Sequence, residues 1–128
     1  MSAMLPFSRD QFFAIFGDYN LAVWPAQLVA YLLAAAMLAG VRRPSPRGDR
    51  FTGAALAVLW AWTGVVYHAL FFAPANPAAW GFAALFVLQG ALLWHTAVIA
   101  GRLAFFAGRG AAAWLGWGLI TYAAVFYP

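Results

Sequence analysis

The chain has 128 residues, of which 66% are hydrophobic and 8% are charged. An average soluble domain carries about 25% charged residues, so this chain has too few polar side chains to cover a water-exposed surface. The same composition excludes an intrinsically disordered protein. The absence of cysteine excludes a disulfide scaffold and a thiolate metal site. With 12 phenylalanines, 7 tryptophans and 5 tyrosines, the chain suits a lipid environment and is predicted to be an integral membrane protein.

The N-terminal segment, residues 1–20, is predicted to be a separate element. Ser8 and Gln11 have the spacing of a capping box, which starts a helix. Phe12 and Phe16 follow at helical spacing and give this helix an aromatic face. We expect a short amphipathic helix in the membrane interface, ended by the Gly-Asp-Tyr-Asn sequence at 17–20. A direct continuation of the chain into the first membrane span is the alternative.

Four uncharged apolar stretches follow, each long enough or nearly long enough to cross a bilayer as a helix. They predict an all-α integral membrane protein in which residues 1–128 form one transmembrane helical domain. Asn76 and Pro77 have the residue types that start a helix and are expected to begin the third span. The predicted spans are residues 21–41, 52–72, 79–101 and 110–127.

The charged residues lie between these stretches, and the loop at 41–51 is rich in arginine and proline. Short arginine-rich loops remain in the cytoplasm, and the first and third loops lie on the same side of a four-span chain. Both termini are therefore predicted to be non-cytoplasmic, in an inner membrane. The net charge of +4 is explained by this topology, so we expect no nucleic-acid partner. The arginines expected to contact anionic lipid headgroups are Arg42, Arg43, Arg102 and Arg109.

Polar side chains occur inside every predicted span. Such groups either hydrogen-bond between helices or line a polar pathway or ligand site, and both interpretations stay open. The two histidines are predicted to lie some 15 Å apart along the membrane normal, which argues against a haem held by both, and no cofactor is expected. The candidate polar or partner-contacting residues are Gln27, Tyr31, Thr63, Tyr67, His68, Gln89, His95 and Thr121.

Small residues in the last span indicate where a helix can pack closely. Gly108, Ala112 and Gly116 recur at four-residue intervals, a spacing that lets two helix backbones approach each other. No catalytic constellation accompanies them, because the chain has no glutamate and its serines and aspartates lie outside the predicted spans. The sequence therefore predicts a protein that is not an enzyme.

Several strings resemble a bacterial family of multi-pass membrane proteins classed as a domain of unknown function. The similarity is carried by Leu5-Pro6-Phe7-Ser8, by the stretch from Tyr19 to Gln27, and by later landmarks as far as about residue 100. It implies a helical inner-membrane protein and no particular activity. Members of that family continue beyond a Tyr-Pro like Tyr127-Pro128 into further apolar helices, so we expect the natural chain either to continue or to be a short form.

Two functions are compatible with these features. The first is a structural or accessory subunit that packs against other membrane proteins, with a respiratory or photosynthetic complex as one candidate host. The second is a small-solute or ion permease that works as an oligomer, with Thr63, Gln89 and Thr121 along its path. The expected partners are membrane lipids and either other membrane subunits or further copies of the chain. A pigment or redox group on His68 is a third interpretation.

Overall fold

The protein is described over residues 6–126 by a computed structural model, and this part of the chain is all helical. Its two longest helices, α3 and α4, are long and apolar enough to cross a membrane. A third span is present if α1 and α2, which meet at a bend of 82°, count as one. The five helices are α1 (Arg9–Ala22), α2 (Ala26–Arg42), α3 (Pro46–Phe72), α4 (Ala79–Ile99) and α5 (Ala111–Phe126).

The predicted all-helical architecture is confirmed for the described residues, and two or three helices are apolar enough to cross a membrane, but four spans are not confirmed. The first predicted span, 21–41, is interrupted near its start by Pro25, which has no N–H with which to continue a helix. The fourth, 110–127, is occupied by α5, which is shorter than the roughly 20 residues needed to cross a bilayer. Residues 1–5 of the predicted N-terminal segment and residue 127 of the predicted fourth span lie outside the described range.

The start of α1 agrees with the prediction from the sequence, but its end does not. The Ser8 N–H donates to Gln11 Oε1 (2.8 Å) and the Gln11 N–H donates to Ser8 Oγ (3.2 Å), which confirms the capping box. The predicted stop at 17–20 is wrong, because the helix continues to Ala22. One glycine costs a helix only about 1 kcal/mol relative to alanine, and the packing of Tyr19 described below holds this turn in place.

The predicted loop at 41–51 is also shorter than expected. Helix α3 already begins at Pro46, and the hydroxyl of Ser45 accepts a hydrogen bond from the Gly48 N–H (3.0 Å). Serine as a cap followed by proline in the first turn is a strong helix start, so the connection contains only residues 43–45. At the next turn, Asn76 Oδ1 accepts from the Ala78 N–H (3.1 Å), just before α4.

Helices α3 and α4 form an antiparallel hairpin with small residues at its seam. A Cβ placed on Gly64 would lie 2.9 Å from the carbonyl oxygen of Ala83, and one placed on Gly90 would lie 2.8 Å from that of Ala57. A Cβ on Gly53 would overlap the Cβ of Ala97. Close backbone approach of this kind is typical of helix pairs in membranes, and the seam is where the described protein is most tightly packed.

The second half of α3 has π-helical hydrogen bonding. From Thr63 to Phe72 the backbone donates five residues back along the chain, ending with the Ala73 N–H on His68 O (2.8 Å). A π-helical turn contains more residues than an α-helical turn. Residues that α-helical spacing would place on one face of α3 therefore contact two different helices. Trp60 packs against Phe86 of α4, whereas Tyr67 contacts α1.

Candidate functional site

An aromatic cluster fixes α1 to the end of α3. Ring centroids lie 5.4 Å apart for Phe16 and Tyr67, and 5.5 Å apart for Tyr19 and Phe71. Phe12 packs edge-on against Phe72 at 5.9 Å. Edge-to-face and offset pairs at these separations are favourable beyond the apolar area that they bury. The aromatic face predicted for the N-terminal helix thus packs against α3, which also supplies the predicted residue Tyr67.

A groove opens between α2 and α3 below this cluster. Since α1 is fixed to α3 and meets α2 at 82°, the first half of α2 stands away from α3 and leaves a cavity of about 520 Å³. Small and branched apolar side chains form most of its surface. It is lined by Tyr19, Val23, Ala26, Gln27, Val29, Ala30, Leu33, Val58, Leu59, Trp62 and Thr63.

The polar groups of the groove come from three helices. Trp62 Nε1 donates to the hydroxyl of Tyr19 (2.9 Å), which joins α3 to α1 across the top of the groove. Gln27 Nε2 donates to the carbonyl of Asn20 (2.7 Å), while its side-chain oxygen is buried and has no partner among residues 6–126. Thr63 donates to Leu59 O within its own helix (2.9 Å). Two of the predicted polar residues, Gln27 and Thr63, therefore share one site.

His68 lies on another face of α3. Its ring centroid is 4.7 Å from that of Phe86 and 5.7 Å from that of Phe82, both on α4. His95 is exposed and lies about 14 Å further along α4 than Phe86. The structure therefore keeps the two histidines at different levels, as the sequence predicts.

The remaining predicted polar residues are dispersed. Tyr31 is half exposed on α2, Gln89 is half-buried on α4, and Thr121 is exposed on α5. Helix α5 has no extensive packing against α3 or α4 in the described range. Within the described chain, Thr121 therefore lies on a helix that is not packed against the helices of Thr63 and Gln89.

Six of the seven arginines gather at one end of the helices. Among them, Arg42 places its guanidinium 5.5 Å from the centroid of the Trp117 ring. The one acid at this end, Asp49, accepts a hydrogen bond from the Phe105 N–H (2.7 Å) and so holds the connection between α4 and α5 against the start of α3. This basic end comprises Arg42, Arg43, Arg47, Arg50, Arg102 and Arg109.

The small residues predicted for helix packing are not at a tight contact. Gly108 precedes α5 in the non-helical connection, and no atom lies within 4 Å of a Cβ placed on Gly116. Ala112 and Gly116 instead line a cavity of about 200 Å³ beside α2. Within the described chain, the close contacts are those of the α3–α4 seam. The sequence does contain a signal for them, since Ala83, Gly90 and Ala97 recur every seven residues on α4.

Residues 9–128 match a family model described as a family of unknown function, DUF6064. The chain belongs to this family. The match confirms the predicted membership of a family of unknown function, and it covers α5 as well as the stretch from Tyr19 to about residue 100, whereas Leu5-Pro6-Phe7-Ser8 lies before its first residue. No curated protein and no solved structure matches the chain.

Proposed function

We propose that this DUF6064 protein is an accessory subunit in an inner membrane, where its α2–α3 groove binds a helix of another membrane protein. The carrying observation is the groove itself, an open apolar cavity of about 520 Å³ with Gln27 and Thr63 in its walls. The proposal assigns no catalysis and no cofactor to the chain. It requires that the protein lies in a membrane, and the distribution of apolar side chains supports that location.

The exterior of the protein is apolar. Leu21 is 80% exposed and Trp114 is 79% exposed, while the hydrophobic residues that are buried within residues 6–126 are alanines and one phenylalanine. Continuous exposed apolar surface is unfavourable in water and indicates contact with lipid or with another protein. Both α3 and α4 have the length and hydropathy of membrane spans. The chain therefore suits a bilayer.

The composition of the groove favours a protein helix over lipid tails. Ala26 and Ala30 line it one turn apart, and small residues allow a second backbone to approach. The side-chain oxygen of Gln27 has no partner within the described chain. A hydrocarbon tail cannot supply a hydrogen bond, whereas a rearranged Gln27 side chain and a polar residue on a partner helix can pair with each other.

The arginine distribution sets the proposed orientation. The positive-inside rule favours a cytoplasmic location for the basic end, which puts the Asn76 turn, at the other end of the α3–α4 hairpin, on the opposite side of the membrane. A reporter that is active only outside the cytoplasm is expected to work when fused at position 76 and to fail at position 46. The reverse pattern contradicts the orientation.

Native mass spectrometry tests the accessory role. The tagged chain is extracted from its own membrane in mild detergent, and we expect stoichiometric foreign membrane subunits. Ala30→Leu fills the groove and is expected to remove them, whereas Ala36→Leu, at an exposed position of α2 outside the groove lining, leaves them bound. A homo-oligomer without foreign subunits contradicts the proposal and favours a permease, for which Gln89→Leu is expected to abolish transport without preventing assembly.

A further inference from the structure

A second site lies at the basic end, where α5 stands beside α2. We propose that it binds one anionic phospholipid, with the phosphate between Arg42 and Arg109 and an acyl chain in the cavity between the two helices. The inference rests on the proposed membrane location and goes beyond the accessory role, because it names a lipid class and a place for it. Three features of the site support it.

The first feature is an open apolar cavity whose lower end is closed by the backbone. The Ala107 N–H donates to Val41 O (3.2 Å), which ties the α4–α5 connection to the end of α2. Above this contact the helices separate around the cavity of about 200 Å³. Its lining includes Leu38, Phe106, Ala112, Gly116 and Ile120. An open apolar gap of this kind, lined by both large and small side chains, accommodates a hydrocarbon chain.

The second feature is the position of Trp117. This half-buried ring lines the acyl cavity and also an adjoining cavity of about 230 Å³, which Arg109 lines as well. The Arg42 guanidinium lies 5.5 Å from the same ring. Gly108, Ala113 and Trp117 line both cavities, and each arginine lies beside this shared wall, Arg42 at the Trp117 ring and Arg109 in the adjoining cavity. Guanidinium groups are well suited to phosphate because they donate several hydrogen bonds in a planar fork.

The third feature is the charge of this end. Six arginines and one aspartate give a net charge of +5, and the aspartate already accepts a backbone hydrogen bond from Phe105. Arg42 and Arg109 are both exposed, so their charges are accessible to an anion from outside the chain. The net positive charge of this end favours an anionic headgroup over a zwitterionic one.

Lipid titration followed by native mass spectrometry measures the headgroup preference. The full chain, purified in a neutral detergent, is titrated with dioleoyl phosphatidylglycerol and separately with dioleoyl phosphatidylcholine. We expect one tight site for the anionic lipid only. The double variant Arg42→Gln with Arg109→Gln is expected to weaken it about 30-fold, since each arginine near an anionic lipid contributes about 1 kcal/mol. Arg9→Gln, at the other end of the molecule, is the matched control and leaves the affinity unchanged.

A pair of glycine variants tests whether an acyl chain occupies the cavity. A side chain at Gly116 enters the cavity, while Gly118 is equally open, with no atom within 4 Å of a Cβ, and does not line the cavity. Gly116→Leu is expected to lower the affinity for dioleoyl phosphatidylglycerol about tenfold, which is equivalent to about two buried methylene groups. Gly118→Leu is expected to leave this affinity unchanged.

The outcomes separate this inference from the proposed function. Equal affinity for the two dioleoyl lipids, or an unchanged affinity in the double arginine variant, overturns the lipid site and leaves the accessory role intact. A change of oligomeric state in Gly116→Leu without a change in lipid affinity overturns it in favour of a helix in this cavity. Absence of the protein from the membrane fraction contradicts both proposals together.

Discussion

The α3–α4 hairpin and α5 use the same residue types with opposite results. In the hairpin, Gly64 and Gly90 bring backbones so close that a methyl group would meet a carbonyl oxygen at 2.9 and 2.8 Å. In α5, no atom lies within 4 Å of the equivalent position on Gly116. A glycine at helical spacing therefore does not by itself show where a helix packs. Whether a close contact forms also depends on the residue that faces the glycine.

The facing residues explain the difference. Across the seam, glycines of α3 meet Ala83 and Ala97 of α4, and Gly90 of α4 meets Ala57 of α3. Beside α5, the end of α2 presents Leu38 and Val41. Small residues on both helices allow the close approach at the first interface, whereas Leu38 and Val41 line an open gap at the second. The hairpin is thus the most tightly packed part of the described chain, and the cavities lie along α2 and α5.

The strongest test of this contrast is a leucine in each region. Gly90→Leu is expected to destabilise the hairpin by about 3 kcal/mol or more, because the side chain has no space and the helices must separate. Gly116→Leu is the matched control and is expected to change stability by less than about 0.5 kcal/mol, as for an open position. Unfolding in mixed detergent micelles, in the absence of anionic lipid, measures both. Similar losses for the two variants refute the contrast.

The hydrogen bond over the groove is expected to contribute less to the free energy of unfolding than the seam does. Trp62→Phe removes the donor to the Tyr19 hydroxyl and is expected to cost about 1 kcal/mol. Tyr19→Phe removes the acceptor, and a double-mutant cycle isolates the pair. Trp80→Phe, at an exposed tryptophan of α4, serves as the control. Additive effects of the two substitutions indicate that the bond does not join α1 to α3.

The smallest effect is expected at the start of α1. Ser8→Ala removes one half of the capping box and typically costs a helix about 0.5–1 kcal/mol. Because α1 is held to α3 mainly by its aromatic side chains, the loss is expected to remain local. Hydrogen exchange of the amides in the first turn is expected to accelerate, with unchanged protection in α4. Unaltered exchange in that first turn contradicts the assigned cap.

The sequence predicts the features that depend on neighbouring residues in the chain. The capping box of Ser8 and Gln11, the apolar helices and the basic end all follow from local spacing and composition. The groove does not, because it requires the 82° bend at Pro25 together with contacts between Tyr19 and two residues of α3, Trp62 and Phe71. The local pattern at 17–20 suggests a stop, and tertiary packing overrides it.

The same limit applies to the polar residues. Their place within apolar stretches makes Gln27 and Thr63 candidates, and the structure brings both to the groove. Thr121 has the same local signature but lies exposed on α5. Which polar residues share a site depends on how the helices are arranged around the hairpin, and that arrangement is not encoded in hydropathy.

Site-specific photocrosslinking from the groove shows whether a partner helix binds there. A photoreactive amino acid replaces Ala30, inside the groove, or Ala36, on the exposed side of the same helix, and native membranes are irradiated before extraction. We expect one discrete adduct with a foreign membrane protein from position 30 and none from position 36. Adducts with lipid alone from both positions contradict the proposal that this groove binds a protein helix.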